Sequence, residues 1–543
     1  MKTFFQILFS IVFLVSCNNR FDRNDGKTVF RYNESANITS LDPAFSRDQA
    51  NIWATHQIFN GLVDLGEQLE ILPCIAKSWY ISQDGREYIF HLRNDVFFHD
   101  SPAFPGGKGR KVVAKDFQYS FLRIVSPKTA SPGTWIFQYI EQKEGRYGFE
   151  APNDSTFILR LKHSFPPFLG LLTTMYCSVI PAEAIDYFGQ DFRKNPVGTG
   201  PFRFRMWKEG IKLVLVKNDK YFETDNGVQL PYLDAVSVTF LADKQSAFLE
   251  FLKGKLDFMA GIDPSYKDEL LTRDGRLNPK FEGKFRFLTR PYLNSEYLGF
   301  LISSSGIPDP NNPVLNKKVR QAINYGFDRK KMIVFLRNNI GTPGIQGMIP
   351  KGLPGFYSTI LYYDYNPDKA RTLLAEAGYP GGKGLPDIAL STTSEYLDIC
   401  KYIQHQAGEI GINIKIDISP PAALKEMKAQ SKLSFFRGSW IADYPDAESY
   451  LSLFYSKNFS PQGPNYTHFS NPEFDQLYEQ AMRCNVDSIR FGYYRTMEKI
   501  MMEEAPVIVL YYDQVLRFIR NDIEGLEGNG MNILSLKKVR KTQ

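Results

Sequence analysis

The chain has 543 residues, of which 65 are basic and 59 acidic, giving a formal net charge of +6. The two signs are interspersed, so the charge balance gives no argument for a nucleic-acid partner. With 43% hydrophobic and 14% aromatic residues the chain is globular, and at this length two or more packed units are expected rather than one core.

The first element is an apolar run. Lys2 supplies a positive start, and residues 4–15 are hydrophobic apart from Gln6 and Ser10. That run is too short to span a bilayer as a mature helix but suits the core of an export signal. Leu14-Val15-Ser16-Cys17 follows and resembles the lipobox of bacterial lipoproteins. The resemblance implies cleavage before Cys17, diacylglycerol on its thiol and an extracytoplasmic protein anchored to a bacterial membrane, with several acyl chains holding it better than one. An ordinary secretory signal with a chance cysteine is the alternative. Residues 18–26 are polar and read as a tether.

Next come a strand at 28–32, a loop at 40–43 and a helix from about 48 to 59. Residues 88–93 alternate cleanly as a strand, and 96–99 read as another after a turn at Asn94-Asp95. Ala114-Lys115-Asp116 opens an amphipathic helix with Phe117, Phe121 and Ile124 on one face. A strand at 156–161 follows. Residues 195–202 are rich in Gly and Pro and read as a hinge-like segment. They lead into a hairpin, 202–207 with 213–217, turning at Lys208-Glu209-Gly210. Residues 235–258 form a βαβ-like unit. After about 290 a second α/β region begins, with helices at 317–325, 368–377 and 397–410 and strands at 412–418 and 433–438; a strand at 507–512 lies near the end. Two α/β blocks joined by more than one crossing favour two lobes that close like a jaw.

Little in the chain speaks for catalysis. There is no G-x-S-x-G, H-E-x-x-H or phosphate loop, and the six histidines do not cluster. His91 and His99 read as structural positions. Cys74, Cys177, Cys400 and Cys484 are scattered, with no metal-finger spacing; one disulfide or four buried thiols both fit. The chain is expected to be a binder rather than an enzyme, without cofactor or metal.

A series of motifs narrows the class. Leu41-Asp42-Pro43, Gln57-Ile58-Phe59-Asn60-Gly61-Leu62, Phe98-His99-Asp100, Gly198-Thr199-Gly200-Pro201-Phe202, Val319-Arg320-Gln321-Ala322-Ile323, Asn366-Pro367-Asp368, Trp440-Ile441-Ala442-Asp443-Tyr444-Pro445-Asp446 and Glu503-Glu504-Ala505-Pro506 occur in order. Together they resemble the extracytoplasmic solute-binding proteins of family 5, the oligopeptide- and dipeptide-binding components of ABC importers. The resemblance implies a two-lobed α/β periplasmic-binding fold of type II with an extra subdomain and a hinge-closing cleft. Lobe I would comprise 27–65, 195–290 and 505–543, the subdomain 66–194 and lobe II 291–504. The protein would be a monomer that captures peptide between the lobes and delivers it to permease and ATPase subunits. Other solutes of the same fold (a nickel chelate, haem, an opine or an oligosaccharide), a sensory or adhesion lipoprotein, and an extracytoplasmic hydrolase are the rivals.

Several motif residues have structural readings. Gly198-Thr199-Gly200-Pro201 is expected to serve backbone geometry, Gly admitting positive φ and Pro fixing it. Arg320 and Asp328 read as surface or capping charges, Trp79 as core, and Asn366-Pro367-Asp368 as a helix start. Asp443 stands apart. The resemblance gives it the role of accepting a ligand's α-ammonium, which would need a fixed counter-charge in a closed cleft; the alternative is a cap for a helix beginning near Pro445. Arg437 matches an arginine that meets the peptide carboxylate in some relatives, and the two charges would form a ruler for ligand length. Trp440, Ala442 and Tyr444 complete the ligand element, and Trp135 falls where relatives supply an aromatic wall.

Overall fold

The computed structural model describes residues 26–263, 266–303 and 309–542. The export signal, Cys17 with its lipobox and residues 18–25 of the tether lie outside the described residues. Eleven strands form one mixed sheet. In chain order they are β1 (Val29–Asn33), β2 (Phe202–Lys208), β3 (Lys212–Lys217), β4 (Ala235–Thr239), β5 (Phe258–Ala260), β6 (Phe285–Phe300), β7 (Thr342–Pro343), β8 (Ile388–Thr392), β9 (Ile414–Ile418), β10 (Phe435–Ile441) and β11 (Val507–Arg520). Their spatial order is β2-β3-β4-β1-β5-β11-β6-β10-β8-β9, with β7 beside β11. The βαβ unit is present in split form: β1 lies between β4 and β5, parallel to both.

Two strands carry the architecture. β6 has 16 residues and β11 has 14, well beyond the usual five or six, and their two ends serve different cores. Leu298 and Phe300 of β6 pack with Leu390 and Phe435. Phe285 of β6 and Phe518 of β11 pack with Phe248 and Phe251. Between these ends Arg290 and Pro291 are exposed, and Asp513 and Gln514 are half-buried. Register also shifts here, between the pairs Pro291–Gln514 and Ser295–Tyr512. The sheet is therefore two packed halves joined by an open, irregular middle.

Within residues 195–202, read as hinge-like, the Gly-Thr-Gly-Pro run is tightly packed. Gly198, Thr199, Gly200 and Pro201 are buried, and the two glycines do not have positive φ. What they need is room. The Gly200 amide donates to the Ile58 carbonyl at 2.7 Å and the Phe202 amide to Gln57 at 3.0 Å. A Cβ at Gly198 would lie 2.1 Å from the Ile58 oxygen. His99 closes the knot: its amide donates to Gly198 at 2.8 Å and its Nε2 lies 2.9 Å from the Gly200 carbonyl. Burial lowers its pKa to about 4, so it sits neutral. The strand expected at 96–99 reduces to one bridge, Phe97 with Lys111.

A smaller antiparallel sheet lies to one side, ordered Ala76–Ile81, Glu87–Leu92, Thr156–Arg160, Phe149–Asn153. Helix Ala114–Val125 covers it, setting Phe117 and Phe121 against Phe157 and Phe149. Trp79 is half-buried at the margin of the core.

The helices of the second region start as the sequence indicates. Asn366 accepts from the Lys369 amide with Pro367 in the first turn, and Asp328 caps Arg329–Arg337. Arg320 is no surface charge: it is 3% exposed and donates to the carbonyls of Val314, Leu315, Glu504 and Ala505, pinning the chain where it enters β11. All four described cysteines are free thiols.

Replacing Gly198 by Ala is expected to cost about 2–3 kcal/mol, because the intruding methyl meets backbone rather than a movable side chain. Urea unfolding monitored by circular dichroism gives the value; an unchanged midpoint contradicts the close-approach reading.

Candidate functional site

Two cavities lie between the halves. One, of about 440 Å³, sits at the open middle of the long strands and is lined by Glu34, Trp53, Arg337, Tyr396, Asp513 and Gln514 among others. The larger, of about 720 Å³, lies between the smaller sheet and the segment following β10. It holds Trp135 and Tyr139 on one side and Trp440, Asp443, Tyr444 and Tyr455 on the other.

The local fold explains why Asp443 stands at this wall. β10 ends at Ile441, and the Ala442 amide donates to the Leu293 carbonyl of β6 at 2.9 Å. The chain then turns sharply. Asp446 holds the turn: its carboxylate accepts from the Glu448 amide at 2.9 Å, the Tyr494 hydroxyl at 2.8 Å and the Arg490 guanidinium at 2.5 Å. Asp446 and Arg490 are both buried, so their charges meet with little competition from water. Asp446, and not Asp443, thus takes the first amide of the short helix Glu448–Leu451, whose cap position is Ala447, and Asp443 is left over. Ser449 secures the near side, its Oγ accepting from the Asp443 amide and from Trp440 Nε1, both at 3.2 Å.

The Asp443 carboxylate has no hydrogen-bond or ion-pair partner among the described residues. It is open to the chamber, yet surrounding protein removes enough water to raise its pKa to about 6, with burial the sole cause. A carboxylate in that setting gains strongly from an approaching cation. Glu448, behind it, is 2% exposed and accepts from the hydroxyls of Tyr444 and Tyr478. Burial, with the Asp443 charge adding to it, raises its pKa to about 7.

The other expected site residues are distributed unevenly. Trp440, Tyr444 and Trp135 join Asp443 around the chamber, and the Trp135 and Tyr444 rings lie 6.4 Å apart across it. Ala442 is buried in the turn at 3% exposure and contributes backbone. Arg437 points elsewhere. Its guanidinium donates to Glu296 at 2.5 Å and lies 3.5 Å from the Tyr396 ring centroid, so its charge is met within the protein. Sequence reasoning missed Tyr139, Tyr455, Tyr478 and Glu448. Glu448 was within reach, five residues past Asp443 and two beyond its motif; the tyrosines carried no local signal.

The chamber's two sides also touch directly. The Ser164 hydroxyl donates to Asn485 Oδ1 at 2.6 Å, and a Cβ added at Gly170 would lie 3.5 Å from Pro445. Among the described residues no helix is long and apolar enough to cross a membrane, and no group of His, Cys, Asp and Glu could hold a metal ion.

Known proteins share this architecture. Residues 70–462 match the profile of the bacterial extracellular solute-binding proteins, family 5. The glutathione-binding protein GsiB of Escherichia coli K12 is 24% identical over 496 residues, 90% of each chain. The structure of DppA from Helicobacter pylori with the peptide STSA superposes with a TM-score of 0.76 at 25% identity, covering 95% of this chain and 98% of that one. For the Escherichia coli murein tripeptide binding protein MppA the TM-score is 0.74 at 23% identity, over 95% and 99% of the chains. These relatives are binding proteins, not enzymes. By fold and by the match over most of its length, the chain belongs to the bacterial extracellular solute-binding proteins of family 5.

Proposed function

We propose that this protein captures peptides between its two halves, holds their free α-ammonium on Asp443, and hands them to the permease and ATPase of an ABC importer while tethered to the membrane through lipid on Cys17. The observation that carries the reading is the unpaired Asp443 carboxylate, raised by burial, on an aromatic-walled chamber. An ammonium entering such a site trades water for a fixed opposite charge, and the trade is favourable only where that charge is already in place. Ligand touching both sides favours the closed arrangement, so binding shifts the population toward it. The peptide-bound DppA and the peptide named for MppA support a peptide over a sugar or a chelate. Glutathione is a second reading, favoured by the GsiB relatives; it too presents an α-ammonium.

Asp443→Ala is expected to weaken binding of free-amine tripeptides by roughly 2–5 kcal/mol, while N-acetylated tripeptides bind the variant no worse than they bind the parent protein. Calorimetric titration checks this; equal losses for both peptides would mean that Asp443 acts structurally. Native mass spectrometry of gently purified protein supplies the companion test, and carriage of no peptide, with no thermal shift from di- to hexapeptides, overturns the peptide reading.

Affinity is also expected to depend on pH in a defined sense. Binding needs Asp443 ionised and the ligand amine protonated. Its carboxylate form is lost as pH falls through about 6, and a peptide α-amine loses its proton above about 7.7–8.0. The dissociation constant is therefore lowest between those limits and rises on both sides, and near pH 6 binding releases protons that titration in buffers of differing ionisation enthalpy detects. For the anchor, Cys17→Ser is expected to move the protein from the membrane fraction to the soluble one.

A further inference from the structure

A third cavity, of about 660 Å³, lies wholly within the second region and shares no lining residue with the two between the halves. Helix Asp487–Glu504 contributes Arg495, Lys499 and Met502 to it, helix Pro367–Glu376 contributes Lys369, and helix Lys317–Tyr325 contributes Tyr325. Leu361 and Tyr362 come from the loop ahead of Pro367–Glu376.

The charge of this groove is one-sided. Lys369, Arg495 and Lys499 are all exposed, and none has a carboxylate within ion-pair distance among the described residues. Glu503 is the carboxylate among the described lining residues, and Lys317 meets it at 3.3 Å. Two of the three cations are held by neutral groups instead. Lys369 Nζ donates to the Tyr325 hydroxyl at 2.7 Å and lies 4.2 Å from that ring's centroid, and the Arg495 guanidinium lies 4.7 Å from the Tyr357 centroid. Aromatic rings position a cation without cancelling its charge. Arg495 and Lys499 stand one helical turn apart, a like-charged pair that weakens its helix until an anion comes between them. In the same groove Leu361 is 57% exposed and Tyr362 is half-buried, so apolar surface and uncompensated positive charge lie together.

We propose that this groove docks an acidic segment of a partner protein, its carboxylates lying against Lys369, Arg495 and Lys499 and an apolar side chain covering Leu361 and Tyr362. Charge spread over two helices beside exposed apolar surface matches an acidic motif that carries a Leu or Phe, whereas an inorganic anion would leave Leu361 bare in water. The groove is built within one half of the molecule, so docking there requires neither cargo nor the Asp443 reading. Being exposed, the three cations act through a screened field rather than as dry ion pairs.

The test titrates the acetylated, amidated hexapeptide Asp-Glu-Leu-Asp-Phe-Glu against its neutral counterpart Asn-Gln-Leu-Asn-Phe-Gln by calorimetry, the acetyl group removing the ammonium that Asp443 would take. At about 0.05 M salt the acidic peptide is expected to bind about tenfold tighter, the ratio shrinking toward unity at about 0.5 M. In the double variant Arg495→Gln/Lys499→Gln the ratio is expected to fall to about one, while a free-amine tripeptide binds as it does to the parent protein. Leu361→Ser is expected to weaken the acidic peptide without changing its salt dependence. Equal affinity for the two hexapeptides, no binding of either at about 1 mM, or displacement of the acidic one by a free-amine tripeptide overturns the inference and leaves the Asp443 reading standing. So does a preference that survives the double variant, or an affinity that Leu361→Ser leaves unchanged. Binding of the parent protein, but not of the double variant, to phosphatidylglycerol vesicles, with no binding of the acidic peptide, assigns the patch to lipid and overturns it too.

Discussion

The ladder between β6 and β11 governs what the rest of the molecule can do. The two ends of the ladder pack into different clusters, one with Leu390 and Phe435 and one with Phe248 and Phe251, while a third and larger cluster, from Phe30 and Ile519 to Tyr297 and Val507, runs across both halves. Cavities form where that burial lapses. The smaller cavity opens where Asp513 and Gln514 are half-buried, and the larger chamber, with no lining residue in common, lies against the smaller sheet.

Within this frame the turn after β10 shows how a charge is kept available. Asp446, Arg490 and Tyr494 form a closed set of hydrogen bonds, and Glu448 is satisfied by two phenols. Arg490 is thus held by Asp446, and Asp443 has no hydrogen-bond or ion-pair partner among the described residues. The same economy leaves Arg437 unavailable, since Glu296 and Tyr396 hold it. One of the two charges that a ligand-length ruler would need is therefore engaged within the protein. Binding sites need such groups positioned by others that do not themselves contact the ligand.

Much of this was legible in the sequence, but unevenly. Helix Lys317–Tyr325 is read to the residue because Val319, Ala322 and Ile323 keep helical spacing under an Asn316 cap. The β2–β3 hairpin is read nearly as well, from alternation around Lys208-Glu209-Gly210. β6 escapes notice: residues 293–300 are buried on both faces, which erases alternation, and Pro291 interrupts the run. Arg320 reads as a surface or capping charge and Arg437 as a ligand contact because partners that hold them are distant in sequence; Glu296 is 141 residues from Arg437. Asp443 is visible only through its motif. Nothing local tells an unpaired aspartate from one that holds the turn until Asp446 is seen to accept the Glu448 amide.

The bond between Ser164 and Asn485 has a separate consequence. It joins the two sides of the chamber away from Asp443, and Gly85 makes room for it: φ there is +67°, and a Cβ would lie 2.5 Å from the Ser164 hydroxyl and 2.7 Å from Asn485. A clasp of this kind biases the jaw whether or not cargo is aboard. Since apparent affinity scales with the fraction of molecules already shut, substitutions at the clasp can retune how greedily the receptor scavenges without altering which cargo it prefers.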